Sequence, residues 1–255
     1  MSFMYSIVFL GTSHGDPSMT RFCSSTFFKF GDTSFLIDAG EPVTALLMRR
    51  EIKLADLNAV FLTHMHKDHT GGLAFLLKTI EKFGGDEKKL DVFFPVASAI
   101  KPFLNWLEAM CELPFPQGFV FRDIAEGFLW EKNGIRVSSV ATEHYGQVKS
   151  PSFAFVIETK KSRIMYTGDL SNDLHDFPVK ENEKSYDICI CEATHMAVNM
   201  EQCVKKLVKA PIRKLILNHI GSRWTDGNEH ILRDALAALP YPVEIATDGM
   251  EVVIE

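Results

Sequence analysis

The chain has 255 residues, 46% of them hydrophobic and 24% charged, enough to bury a core of its own, and no composition boundary divides it, so residues 1–255 read as one domain. Its formal net charge of −6 speaks against a protein built to grip long nucleic acid, which needs a basic footprint. No stretch of 18 apolar residues is present to cross a bilayer, and Met1 to Leu10 lack the basic start and long apolar run of a signal peptide.

In chain order the pattern predicts three strands, then a helix over Glu41 to Arg50 and a strand at Ala59 to Leu62. A helix over Asp68 to Phe83, a strand over Leu90 to Pro95 and a helix from Ile100 to Cys111 follow, leading into a strand-rich middle. That middle includes a hairpin, Ser152 to Val156 and Arg163 to Tyr166 around Lys160-Lys161. After a strand at Tyr186 to Cys191 come a helix, a strand (Lys214 to Asn218), a helix (Glu229 to Leu239) and a final strand pair. Phe27-Phe28, Phe93-Phe94 and Trp106 read as core, while Lys205-Lys206, Lys209 and Arg213-Lys214 read as a solvated face. Five cysteines, Cys23, Cys111, Cys189, Cys191 and Cys203, show no paired framework, so a reducing cytoplasm is expected and Cys189 and Cys191 read as buried hydrophobes.

Residues 63 to 69, Thr-His-Met-His-Lys-Asp-His, carry the strongest chemical signal. They follow an apolar run, Ala59-Val60-Phe61-Leu62, and precede Gly71-Gly72, so the cluster sits at the C-terminal mouth of a strand. Alternate residues of an extended chain face one way, so His64 and His66 suit one ion, while Asp68 and His69, past the bend, face a second. Neutral imidazoles packed this densely offer ring nitrogens to a transition metal; protonated together they repel. Two ions need more ligands, and His144, Asp169 and His219 each follow a β-rich apolar run, where sites collect in layered α/β folds.

The His-x-His-x-Asp-His run resembles the signature of the metallo-β-lactamase superfamily of hydrolases. The resemblance implies an α/β architecture, the αββα metallo-β-lactamase-type sandwich with two βββα-like halves. By that likeness His64, His66 and His144 would hold the first metal, Asp68, His69 and His219 the second, and Asp169 would bridge them. The family's redox branch carries an acidic residue where His66 stands, which favours hydrolysis here. The loop Leu10-Gly11-Thr12-Ser13-His14-Gly15-Asp16-Pro17, with Arg21 and Ser24-Ser25, resembles the opening of the ribonuclease Z group. That group includes transfer-RNA 3′-processing nucleases, a phosphoribosyl cyclic phosphodiesterase and phage enzymes that destroy cyclic nucleotide signals. Cys191-Glu192-Ala193-Thr194-His195 resembles the group's His-Glu-Ala-Thr element with Cys191 in place of His, while His195 matches the Asp-Cys-Ser-His of the phosphonate-pathway enzyme. Asp248-Gly249-Met250-Glu251 matches the ending of the same enzymes.

Two departures narrow the reading. Asp169 lies only 25 positions after His144, leaving no room for the long transfer-RNA-gripping arm of ribonuclease Z. Cys23 stands alone where the phosphonate-pathway enzyme has a zinc-binding cysteine cluster. The expectation is a dinuclear metal-dependent phosphodiesterase of a small, cyclic phosphodiester. Zn2+ is the first expectation for the two ions, with Mn2+ or Fe2+ also suited to N/O ligands. Water between two such ions, typically about 3.5–4 Å apart, attacks phosphorus in line. Asp68 is assigned to steer that water and His195 to protonate the leaving alkoxide. The alternatives are a transfer-RNA 3′-endonuclease and a non-catalytic metal-binding protein. A homodimer contact is expected within Lys88 to Gln117; His14 reads as solvated, and His175 and His230 receive no role.

Overall fold

A computed structural model describes residues 5–85, 88–110, 117–145, 150–225 and 227–254. Strands β1 (Tyr5–Gly11), β2 (Ser25–Phe30) and β3 (Thr33–Ile37) come first. Helix α1 (Val43–Arg49), strand β4 (Ala59–Phe61), the single turn α2 (Lys67–Thr70) and helix α3 (Leu73–Gly84) follow. Then come β5 (Leu90–Phe94), α4 (Ala97–Ala109), β6 (Phe119–Asp123), β7 (Gly127–Lys132), β8 (Ile135–Thr142), β9 (Ser152–Glu158) and β10 (Arg163–Tyr166). The chain continues through β11 (Ile188–Glu192), α5 (Met200–Lys209), β12 (Leu215–Asn218), α6 (Glu229–Ala235), β13 (Val243–Ile245) and β14 (Glu251–Ile254).

By its contacts the chain divides into two compact units: residues 1–11, 15–124 and 248–255 form one, and residues 12–14 and 125–247 the other. The first unit holds a sheet in the order β14-β1-β2-β3-β4-β5-β6. Its first four strands pair antiparallel, and β3 through β6 run parallel. Strand parity sorts the side chains. Leu36, Val60 and Val92 turn to one face, where they join Leu73, Leu76, Leu77 and Ile80, the i, i+3, i+4, i+7 stripe of α3. The opposite face carries Phe28, Phe35, Phe61 and Phe93, also buried, with Phe28 stacked on Phe35 at 5.0 Å and Phe61 on Phe93 at 4.7 Å. Each fully buried phenylalanine contributes roughly 1.5–3 kcal/mol by leaving water.

The second unit repeats the scheme with the order β13-β12-β11-β10-β9-β8-β7. Strands β7 to β10 pair antiparallel and β10 to β13 parallel. Met165, Cys189, Cys191, Leu215 and Leu217 meet Cys203 and Leu207 of α5 and Leu232 of α6 in one core. Cys23, Cys189, Cys191 and Cys203 are free and buried; Cys111 lies outside the described residues.

Three sequence expectations change. The helix expected over Asp68 to Phe83 is two pieces, because Gly71-Gly72 interrupt it and the Gly72 amide is drawn off to the Ala39 carbonyl at 2.8 Å. The final strand pair does not pair with itself: β13 adds parallel to β12, and β14 adds antiparallel to β1. Trp106 is 53% exposed rather than core, since α4 buries only Leu107. Among the described residues no helix is long and apolar enough to cross a membrane.

Candidate metal centre

In the first unit the chain leaves β4 and turns at once into α2, which brings four chemically distinctive side chains into one bend. His64, Asp68 and His69 are buried, whereas His66 is exposed. His64 Nε2 and His66 Nδ1 stand 2.9 Å apart, and His69 Nε2 lies 3.3 Å from Asp68 Oδ2. His64 thus stands beside His66, and Asp68 beside His69, while the His64 and His69 rings are themselves 4.1 Å apart.

The back of this cluster is held by a residue that the motif does not contain. Asp38, just past β3, is fully buried, and its Oδ2 accepts from His69 Nδ1 at 2.8 Å. Its Oδ1 accepts the Thr63 amide at 2.8 Å, and the Thr63 hydroxyl also donates to it at 3.0 Å. The same hydroxyl accepts from His64 Nδ1 at 3.0 Å. Both imidazoles thus have Nδ1 tied to the protein and Nε2 left to face a ligand, the arrangement that fixes tautomer and ring orientation in metal-binding histidines. Burial pushes the Asp38 carboxyl above its ordinary range, against the opposing pull of His69 and Thr63. Asp68 Oδ2 also accepts the Gly15 amide at 2.8 Å, which limits its rotation.

In the second unit the site residues leave the C-terminal ends of neighbouring strands. Asp169 follows β10, His195 follows β11, and His219 follows β12 with φ of 51°. Asp169 lies between two imidazoles, with Oδ2 3.7 Å from His144 Nε2 and Oδ1 3.4 Å from His219 Nδ1. His144 Nδ1 donates to the Leu170 carbonyl at 3.4 Å, again leaving Nε2 outward. Burial lowers the pKa of His144, so it is neutral near pH 7 and has a lone pair to give. Buried carboxylate and imidazole groups facing one another in this way fit a divalent cation, whose charge offsets their crowding and whose coordination uses these donor types.

Glu192 is a second residue whose part the sequence did not reveal. Its Oε1 accepts from His195 Nδ1 at 2.6 Å and from the Leu170 amide at 2.8 Å, and its Oε2 accepts the His195 amide at 2.9 Å. Burial by itself lowers the pKa of His195, but the Glu192 carboxylate outweighs it and raises the value to about 9. The His195 ring lies 4.9 Å from the His144 ring and 6.5 Å from that of His219. His14, expected to be solvated, is half-buried with its ring 6.2 Å from His219. His175 is exposed and bridges Asp173 at 2.7 Å and Glu143 at 3.0 Å, and the Glu143 amide donates to Asp176, which steadies the segment delivering His144. His230 donates to the Gly227 carbonyl at 2.8 Å.

Comparison with known proteins bears on the family and the fold. A ribonuclease Z of Prochlorococcus marinus (strain AS9601) is 33% identical over 161 residues, 60% of this chain and 49% of that enzyme. The chain thus spans about half the length of the curated Prochlorococcus relatives it matches. Among solved structures, the metallo-β-lactamase fold protein YhfI of Bacillus subtilis superposes with a TM-score of 0.79 at 20% identity, covering 98% of this chain and 100% of that one. The short form of human tRNase Z gives 0.74 at 22% identity, covering 98% and 99%. The fold is therefore the metallo-β-lactamase fold, an α/β sandwich, as the signature implied. Residues 5–230 match the family model described as Anti-Pycsar protein Apyc1, and with that match extending over most of its length, the chain belongs to the Anti-Pycsar protein Apyc1 family.

Proposed function

We propose that this chain is a metal-dependent phosphodiesterase of small cyclic phosphodiesters. By the motif, His64, His66 and His144 would hold one ion and Asp68, His69 and His219 the other, with Asp169 available to both. When bound, divalent ions supply Lewis acidity for in-line displacement at phosphorus and neutralise charge gathering on the phosphate oxygens. Asp68, held by the Gly15 amide, presents its remaining lone pairs to orient the attacking water. His195, kept protonated by Glu192, gives its Nε2 proton to the departing alkoxide. Glu192 then stabilises neither product nor substrate directly; it holds the ring.

The observation that carries the substrate reading is the content of the interval between His144 and Asp169. Among its described residues it is the β9–β10 hairpin and the turn that follows, with no accessory arm. A folded transfer RNA needs such a grip at a distance from the cut, through many phosphate contacts. A small cyclic diester needs only a water-excluding cleft and donors for one phosphate. The family match to an anti-Pycsar protein and the phosphodiester chemistry of the ribonuclease Z relatives support the same reaction class.

Transfer-RNA 3′-processing is the second reading, favoured by the 33% identity to ribonuclease Z. One screen decides between them: kcat/KM of the metal-loaded protein, at physiological salt, on cyclic mono- and dinucleotides, a phosphoribosyl cyclic phosphate and precursor transfer RNA. Higher efficiency on a small cyclic diester is expected. Higher efficiency on precursor transfer RNA, cut at the discriminator base, replaces the first reading with the second.

We also propose that a second copy of the chain covers the exposed apolar face of the first unit. Phe75, Phe83, Trp106 and Met110 border a cavity of about 550 Å³, with Phe75 67% exposed. Glu41, Lys78 and Lys82 give its edge both signs of charge, which suits a two-fold contact of a patch with itself. The expected Lys88 to Gln117 interface contributes Trp106 and Met110; residues 111–116 lie outside the described residues. Sedimentation of Trp106→Glu as a monomer and of the parent as a dimer is the expected result, and a monomeric parent removes the proposal.

A further inference from the structure

The second unit carries a pocket at the sheet end opposite its metal-type residues. Asp169, Glu192 and His219 lie where β10, β11 and β12 finish; the pocket lies where β9 ends and β10 begins, beside Asp187 and Arg213 that lead into β11 and β12. Its volume is about 340 Å³.

The walls are fixed by local bonds. The Thr159 hydroxyl accepts the amides of Lys161 at 3.0 Å and Ser162 at 2.9 Å, which sets the turn and places Lys160 and Lys161 at its tip. The Arg163 guanidinium lies 4.0 Å over the Tyr186 ring, pairs with Glu158 at 3.3 Å and donates to the Lys184 carbonyl. Asp187 accepts the Arg163 amide at 2.8 Å and Arg213 at 3.0 Å.

Charge does not balance here. Arg163 is met by Glu158 and by Glu183 at 3.4 Å, and Arg213 by Asp187, while the ammonium groups of Lys160, Lys161 and Lys184 form no ion pair among the described residues. Three unpaired cations brought to one concavity of a chain whose net charge is −6 repel one another and focus a positive potential. Lysine is a flexible point-charge donor suited to phosphate oxygens, and several around one cavity match a compact ligand with several negative charges.

We propose that this pocket is a second anion site that binds a compact polyphosphate, the diphosphate or triphosphate group of a nucleotide or its inorganic counterpart. The site is separate from the hydrolytic centre and its occupancy does not depend on the metals. The test is lysine acetylation read by mass spectrometry on the full-length, metal-loaded protein, with inorganic triphosphate and ADP as probes. Either probe is expected to slow modification of Lys160, Lys161 and Lys184 several-fold while leaving exposed Lys132 unchanged. Stronger protection by ADP identifies a nucleotide as the source; equal protection identifies the phosphate chain alone. The K160A/K161A/K184A variant is expected to lose triphosphate binding measured by calorimetry at this site while hydrolysing an activated nitrophenyl phosphodiester at the parent rate. Protection no greater than that given by sodium chloride at matched ionic strength, or calorimetry unchanged in the triple variant, overturns the proposal.

Discussion

His69 Nδ1 lies 2.8 Å from Asp38 Oδ2, and because a carboxylate can only accept, the ring is committed to presenting Nε2 outward. Asp38→Asn breaks that commitment, since an amide can turn its NH2 toward the ring. Metal affinity is expected to fall by about 10–100-fold, the usual cost of losing a residue that orients a ligand. Competition against a chelator measures it, and unchanged affinity would show that the contact orients nothing.

Metal content is the next expectation. Protein purified without chelator and reconstituted with Zn2+ or Mn2+ should carry about two ions per chain by elemental analysis, as the seven-residue set requires. One ion after reconstitution contradicts the ligand assignment in which Asp169 is shared.

Replacing His195 by Ala should leave metal content unchanged. The rate on a diester with a poor leaving group should drop on the order of 10²-fold or more, the scale of general-acid catalysis, with a much smaller loss on an activated nitrophenyl ester. Equal losses on both substrates would assign His195 to phosphate binding or packing instead.

The His195–Glu192 pair has a pH signature. A histidine whose folded pKa is raised stabilises the protein fully below its unfolded pKa and loses that contribution as pH rises through the folded value. With His195 near 9, the loss falls between about pH 6.5 and 9 in metal-free protein. NMR titration of the ring should show the raised value, and Glu192→Gln should bring it down toward the ordinary histidine range. A His195 that titrates near 6.5 in the parent would show that Glu192 does not hold the proton.

Gly40 tests how tightly the signature bend is packed. A Cβ at this position would stand 2.1 Å from the Asp68 carbonyl oxygen and 2.7 Å from the Cys23 Cβ. Backbone must shift to admit it, so Gly40→Ala should cost roughly 1–3 kcal/mol and weaken metal binding through Asp68. Chemical denaturation of metal-free protein measures the first effect; a stability within 0.5 kcal/mol of the parent, taken as about the noise of surface changes, would mean the bend has slack.

What was legible in the sequence was local. The bend at residues 63 to 69 could be read because a strand, a turn and four side chains fall within one short stretch. The β9–β10 hairpin was legible for the same reason, since turn chemistry is a property of neighbours. The solvated reading of Lys205 likewise held, as it pairs with Glu201 one turn away.

What the tertiary structure decided involves partners far apart in the chain. Asp38 lies 31 residues before His69, and an aspartate after a strand looks like a turn residue until the parallel pairing of β3 with β4 sets the two together. Glu192 was visible as part of a motif, but its hold on His195 depends on the chain folding back over it, with the Leu170 amide fixing the same carboxylate from a different strand end. The destination of β14 was hidden because an isolated four-residue strand pairs equally well with any open edge, and only the open edge of β1 selects it. Sequence by itself determined which atoms are available for chemistry; the pairing of distant strands decided which of them are held, and in what orientation, because that geometry exists only once non-local hydrogen bonds have formed.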